Sequence, residues 1–303
     1  MLIKPELYER ILAKKKKLAS LRPLPKIALQ RLKEQFEVEA TYNSNAIEGN
    51  SLTLRETQLV LERGLTISGK NIREHLEAKN HKDAMHYLEI AVKKPLGEDA
   101  IKQIHKIILG EIWENEAGKY RKTNVHITGS THKPPHWEKV YSLMKDYINY
   151  ITKNPDKLTS VELAGMLHYK FVAIHPFADG NGRTARLLMN LFLMKSGFPP
   201  AMVLNSERKW YYNVLKSADA GEVNHFVDFN AKTIERRLDV YLQTFAGIKY
   251  ISLEKAAKGT LFSQDYLSLL ARKGKLDAVK FGRNWMTTKK AVEDYIKKHA
   301  RSS

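Results

Sequence analysis

The chain reads as mainly α: a helical core interrupted by one short β-hairpin, followed by a small C-terminal module of helices and two short strands. Three observations predict this. Apolar residues recur at helical spacing over most of the 303 residues. Thr53 with Glu56, and Thr159 with Glu162, have the capping-box spacing that starts helices. Strand-like alternation is confined to Val125 and Ile127 and to the neighbourhood of Gly282.

Residues 5–39 hold one or two helices, broken at Arg22-Pro-Leu-Pro25. Ile27, Leu29, Leu32, Phe36 and Val38 mark the helix from about residue 26, and Gly49 suits its C-terminal stop. Ser44 and Glu48 share one face near its end, where the dipole disfavours a carboxylate. Glu48 is therefore a candidate for a cationic partner, although a lone glutamate is most often solvated. Helix continues over 57–94 with turns near Gly64 and Ser68-Gly69; His75, His81 and His86 lack metal-ligand spacing and are read as structural or surface residues. A further helix covers 98–112. Over 117–137, Val125 and Ile127 followed by Gly129-Ser130 predict the hairpin, closed by Pro134-Pro135, and His126, His132 and His136 again have no clean ligand spacing. Val140, Leu143, Met144, Tyr147, Ile148 and Ile151 stripe a helix over 138–153. The Thr159 box opens the helix that delivers His175, and helices follow over about 184–195, 209–221 and 223–245.

Composition narrows the class. At 43 % hydrophobic and 28 % charged residues, the chain suits a soluble globular protein. No cysteine is present, which excludes disulfides and thiolate metal sites and agrees with a reducing, cytoplasmic setting. The first ten residues lack a signal-peptide core, and no apolar run reaches the roughly 18 residues of a membrane span. The net charge of +18 favours polyanions or acidic surfaces, or serves solubility alone.

The chemistry gathers in residues 175–186, His-Pro-Phe-Ala-Asp-Gly-Asn-Gly-Arg-Thr-Ala-Arg. Pro176 ends the first helix. Gly180 and Gly182 allow positive φ and close approach of a ligand. The turn feeds a helix N-terminus, with unpaired N–H groups and partial positive charge, so it can form an anion nest. His175 offers a base and Asp179 an oxygen ligand suited to Mg²⁺. Arg183 and Arg186 lie on one face at an end that tolerates them if an anion is bound there. This set fits phosphate or nucleotide transfer.

The stretch resembles the Fic family signature, His-x-Phe-x-Asp/Glu-Gly-Asn-Gly-Arg-x-x-Arg, at every fixed position. Ser44-Asn-Ala-Ile-Glu48-Gly49 resembles the family's inhibitory motif, and its place ahead of the signature resembles the class with an N-terminal inhibitory helix. The resemblance implies AMP transfer from ATP to a Ser, Thr or Tyr hydroxyl of a protein target, the chain itself included. His175 would take the proton and Asp179 would hold Mg²⁺. Gly180, Asn181 and Gly182 would cradle the phosphates, while Arg183 and Arg186 would neutralise the leaving pyrophosphate. Glu48 would pair with Arg186 and block the γ-phosphate position. Residues 117–137 resemble the family's flap, which aligns a target by strand addition; Gly129, Ser130, Thr131 and His132 would border the nucleotide. Tyr211 and Tyr212 would pack near the base, and Asp219 would face it where some relatives carry asparagine. The same residues would serve removal of AMP, with Glu48 positioning water. A homodimer is compatible with the sequence but not specified by it.

Residues 248–303 resemble the winged helix-turn-helix of excisionase and MerR-like proteins, with Ser263 capping the second helix and a wing at Gly282-Arg283-Asn284. They carry 13 Lys/Arg against five Asp/Glu, a net +8, so DNA phosphates are the obvious partner and protein docking the alternative. The expected division is a helical region with the inhibitory motif (1–95), a catalytic core (96–247) and the winged module (248–303). A DNA-binding regulator whose core only senses nucleotide is the reading from a different class.

Overall fold

The computed structural model describes residues 1–130, 132–281 and 284–300. Its helices run α1 (Pro5–Ser20), α2 (Lys26–Ile47), α3 (Leu54–Arg63), α4 (Ile72–Ala91), α5 (Glu98–Leu109), α6 (Val140–Lys153), α7 (Ser160–Ile174), α8 (Asn181–Lys195), α9 (Arg208–Asp219), α10 (Val223–Ala246), α11 (Leu253–Ala257), α12 (Gln264–Arg272) and α13 (Lys289–Ala300). The strands are β1 (Ile251–Ser252), β2 (Ala278–Phe281) and β3 (Asn284–Thr287).

Local chemistry starts these helices. Thr53 Oγ1 accepts the Glu56 N–H at 3.2 Å while the Glu56 carboxylate accepts the Thr53 N–H at 2.7 Å. Thr159 and Glu162 do the same for α7, and Asn71 with Glu74 adds a box at α4 that the sequence reading passed over. His75 and His81 are internal fixtures: the His75 ring bonds the backbone of Ile67 and Asn71, and His81 bonds Thr41.

Packing gathers the chain into two compact units, residues 1–3 with 30–233 and residues 4–29 with 234–303. The division expected along the sequence, by contrast, kept residues 4–29 with the first 95. At the centre of the first unit stand α7 and α8, against which α4, α5, α6 and α9 pack. Every residue from Val161 to His168 is buried, as is every residue from Thr184 to Leu191. Helices covered on all faces belong in the interior, so the loop between them is anchored at both ends.

In the second unit β3 pairs antiparallel with both β1 and β2, giving the order β1-β3-β2. Leu253, Leu267, Leu270, Leu276 and Val292 form its core. Ser263 caps α12, accepting the Tyr266 N–H at 3.1 Å. The two-residue β1 is too short to leave an alternation in the sequence. Thr131 and the wing residues Gly282 and Arg283 lie outside the described residues.

The hairpin expected over 117–137 is not formed. All strands among the described residues lie in the second unit. Side chains bond part of this segment's backbone instead, and Ile127 O accepts the Ser130 N–H at 3.1 Å. Arg121 donates to the carbonyls of Thr123 (3.0 Å) and Pro135 (2.5 Å), and Asn124 Oδ1 accepts the Trp137 N–H at 3.0 Å. Pro134 and Pro135 have no N–H to offer a ladder.

Candidate active site

Helix α7 ends on His175, whose backbone is left-handed at φ 51° and ψ 59°. For a residue with a β-carbon this costs about 1–3 kcal/mol and persists only when neighbours enforce it. Arg121 is the enforcer: its Nε donates to His175 O at 2.8 Å and its backbone N–H to Pro176 O at 2.9 Å. Beneath the loop Phe177 is buried and stacked on His105, ring centroids 3.6 Å apart. His175 Nδ1 lies 3.3 Å from Val172 O. A carbonyl can only accept, so Nδ1 carries the proton and Nε2 keeps its lone pair. Burial, with the Arg121 charge in support, outweighs the Val172 bond and lowers the His175 pKa to about 4. The imidazole is therefore a neutral base at pH 7.

Past Pro176 the chain turns through Gly180 at φ 73° into α8, which begins at Asn181. The Asn181 side chain, grouped by the family resemblance with the phosphate cradle, turns back onto its own loop. Its Oδ1 accepts the Phe177 N–H and its Nδ2 donates to Phe177 O, both at 2.9 Å. It staples the loop, and only its backbone N–H is left for the nest. Asp179 Oδ1 accepts the Gly180 N–H at 2.6 Å, and Oδ2 pairs with Arg73 Nη2 at 2.6 Å. Burial acts to raise the Asp179 pKa, but Arg183, the Gly180 N–H and Arg73 together hold it below the ordinary carboxylate value. Among the described residues no group of three or more His, Cys, Asp or Glu is placed to hold a metal. One ionised, 37 % exposed carboxylate beside an anion nest still fits Mg²⁺, which takes one or two carboxylates and completes its shell with phosphate oxygens and water.

Arg186 is buried. Its Nε donates to Ser44 Oγ at 3.0 Å, and its Nη2 to Ser44 O and Glu48 Oε1, each at 2.8 Å. Glu48 follows the last residue of α2. Its carboxylate reaches the start of α8: a β-carbon on Gly182 would lie 2.2 Å from Glu48 Oε1 and 3.4 Å from Arg186 Nη1. Only glycine leaves room for a carboxylate there. Arg186 Nη1 and Arg183 Nε are buried donors without a hydrogen-bond partner, while Arg183 Nη1 pairs with Glu77 Oε1 at 3.1 Å.

Beside the nest lies a cavity of about 510 Å³. Glu48, Gly182 and His175 line one part; Gly129, Ser130 and His132 line another, with Tyr211, Tyr212 and Asp219 from α9. Arg183, Arg186 and Asp179 do not line it. Tyr211 is fixed by a 2.9 Å bond between its hydroxyl and His168 Nε2, and Tyr212 donates to Ile47 O at 3.3 Å. Asp219 Oδ1 accepts the Tyr169 hydroxyl at 3.3 Å and lies 3.4 Å from His132 Nδ1, while His132 Nε2 donates to Ala173 O. Arg208, absent from the sequence-based set, also lines the cavity; its Nε donates to Ile47 O at 2.8 Å and its guanidinium lies 5.2 Å from the Tyr212 ring. The signal was available, a cation three residues before a Tyr-Tyr pair.

A Fic/DOC family profile matches residues 95–193. The chain is similar to a protein adenylyltransferase Fic of Nematostella vectensis, 39 % identical over 241 residues that make up 78 % of this chain and 56 % of the relative. It is similarly 39 % identical to the Drosophila grimshawi protein of the same name, over 71 % of this chain and 45 % of the relative. The chain thus spans about half the length of the curated relatives it matches. Among solved structures it is similar to Fic-1 from C. elegans, with a TM-score of 0.71 and 33 % identity over 80 % of this chain and 73 % of that one. A Fic domain containing signaling protein from Bacteroides thetaiotaomicron gives a TM-score of 0.72 and 29 % identity over 79 % of this chain and 98 % of that one. With the complete signature wrapped around this nest, the chain belongs to the Fic family.

Proposed function

We propose that this chain is a protein adenylyltransferase that moves AMP from ATP to a Ser, Thr or Tyr hydroxyl of a protein and is held idle by Glu48. One observation carries the reading: the nest at the start of α8 already receives an anion, the protein's own carboxylate, clasped by Arg186 at 2.8 Å. Arg–carboxylate and Arg–phosphate pairs compete for the same guanidinium fork. With Glu48 withdrawn, the nest and the unpartnered donors of Arg183 and Arg186 would meet the polyphosphate. The target oxygen attacks the α-phosphorus, the bond to pyrophosphate breaks, and the hydroxyl proton passes to His175 Nε2. Backbone N–H groups and the two guanidiniums stabilise the charge gathering on the leaving pyrophosphate. Mg²⁺ held by Asp179 would supply further neutralisation of phosphate charge. The test is intact-mass analysis of wild type and Glu48→Gly after incubation with Mg²⁺ and each nucleoside triphosphate. The variant is expected to gain AMP about 10- to 100-fold faster, the equivalent of one charge-assisted hydrogen bond removed from the competitor. Equal incorporation would remove the inhibitory role, and no adduct from any nucleotide would remove the transferase.

We read residues 248–303 as a winged helix-turn-helix that binds duplex DNA. The observation in favour is a capped α12 following α11, with Lys255, Lys258, Arg272 and Lys273 exposed on or beside these helices. Replacing Arg272 and Lys273 by alanine in the full chain should weaken duplex binding and reduce its log–log salt slope by about two. Unchanged retention at all salt concentrations would exclude this surface.

A further inference from the structure

The start of α4 carries a charge that local physics does not call for. Arg73 is the second residue of that helix, in a turn whose partial positive charge disfavours cations. Asn71 and Glu74 already cap this end without it. Although half exposed, the Arg73 side chain is committed: Nη2 lies 2.6 Å from Asp179 Oδ2, and Nε 3.3 Å from Glu77 Oε1. Glu77, one turn along α4, shares Oε1 with Arg183 Nη1 at 3.1 Å, and its Oε2 accepts from Asn50 at 2.9 Å. Four side chains therefore make two close pairs, Arg73 with Asp179 and Arg183 with Glu77; a contact of 3.3 Å already joins Arg73 to Glu77, and a longer one of 3.6 Å joins Arg183 Nη2 to Asp179 Oδ1. Each pair occupies one group that the proposed reaction requires.

We propose that Arg73 is a resident counter-cation for Asp179, and that Arg73 and Glu77 form an exchange pair: as Mg²⁺ takes Asp179 and polyphosphate takes Arg183, the two released side chains pair with each other. The inference rests on the transferase reading above. Its merit is charge balance. Before exchange, Asp179 is matched by Arg73 at 2.6 Å with Arg183 farther off at 3.6 Å, and Arg183 is matched by Glu77. Afterwards Asp179 is matched by the metal, Arg183 by phosphate, and Arg73 by Glu77 at helical i,i+4 spacing. Neither state leaves a partly buried charge alone, which is the costly condition. The movement is small, because the Arg73–Glu77 contact is present before it starts. A consequence follows for metal dependence. The cation must displace a guanidinium, so Arg73 sets the Mg²⁺ concentration at which nucleotide binds.

The experiment is calorimetric titration of ATP into the full chain at a series of Mg²⁺ concentrations. Glu48→Gly gives access to the site and His175→Ala prevents turnover. In that background, Arg73→Gln is expected to lower the Mg²⁺ midpoint about two- to fivefold, the scale of a half-exposed ion pair. Arg73→Lys, which keeps the cation, should stay near the parent. Equal midpoints for Arg73→Gln and the parent would overturn the proposal. If ATP bound with no dependence on Mg²⁺, the assignment of Asp179 would fail and the exchange with it. If ATP did not bind at all, the transferase reading itself would fall.

Discussion

Charged side chains are buried in two regions of this protein, and the two are finished in opposite ways. In the second unit, Lys14 of α1 directs its ammonium at three carboxylates: Glu235 at 2.9 Å, and Asp239 and Asp277 at 2.8 Å each. Arg10 adds two bonds to Glu235, and the Tyr250 hydroxyl donates to Asp239 at 2.6 Å. Burial works to lower the Lys14 pKa, but the three carboxylates hold it well above the ordinary lysine value. Each donor of that ammonium has an acceptor. At the start of α8, by contrast, Arg183 Nε and Arg186 Nη1 are buried with none. An orphaned buried donor costs about 1–3 kcal/mol. The Lys14 cluster avoids that cost and the nest bears it. The ammonium of the Lys14 cluster is saturated, whereas two guanidinium donors at the start of α8 stay unspent.

The contrast can be broken from either side. The largest effect is expected at His175: in a Glu48→Gly background, His175→Ala should lower AMP transfer about 10²–10⁴-fold with little change in melting temperature. Labelled-AMP incorporation and thermal denaturation measure the two quantities. Retained transfer would reduce His175 to a helix cap. Next comes Lys14→Met, which takes the ammonium away from buried Asp239 and Glu235 and should destabilise the protein by about 3–5 kcal/mol in urea unfolding. Transfer per folded molecule should be unchanged. A loss under about 1 kcal/mol, the value of an exposed pair, would show that the cluster is no structural keystone.

Much of the site was legible in the residues alone. The signature placed His175, Asp179 and both arginines around one turn, and Gly180 takes the positive φ expected of it. The inhibitory motif paired Glu48 with Arg186, and the two meet, with Ser44 also bonded to that guanidinium. The boxes at Thr53 and Thr159 are where the spacing put them, and Ser263 caps α12 as the resemblance implied. Other features were not legible, for one shared reason. Val125 and Ile127 alternate as a strand would, but Arg121 and two prolines decide what their segment bonds to. Asn181 looked like a phosphate ligand and spends its side chain on Phe177. Arg73 gave no signal, since its partner Asp179 lies 106 residues away.

By itself, then, the sequence determined where helices begin, where the chain can turn left-handed, and which reactive groups share one loop. Those outcomes follow from interactions within three or four residues and from backbone sterics, which the order of residues encodes directly. Only the tertiary structure decided which carboxylate answers which guanidinium, and which donors go unanswered. Glu48 and Arg186 are 138 residues apart, and only the folded chain brings them to 2.8 Å. Pairing of charges is strong and selective in a desolvated interior and weak in the open chain, so the partners are chosen by the fold.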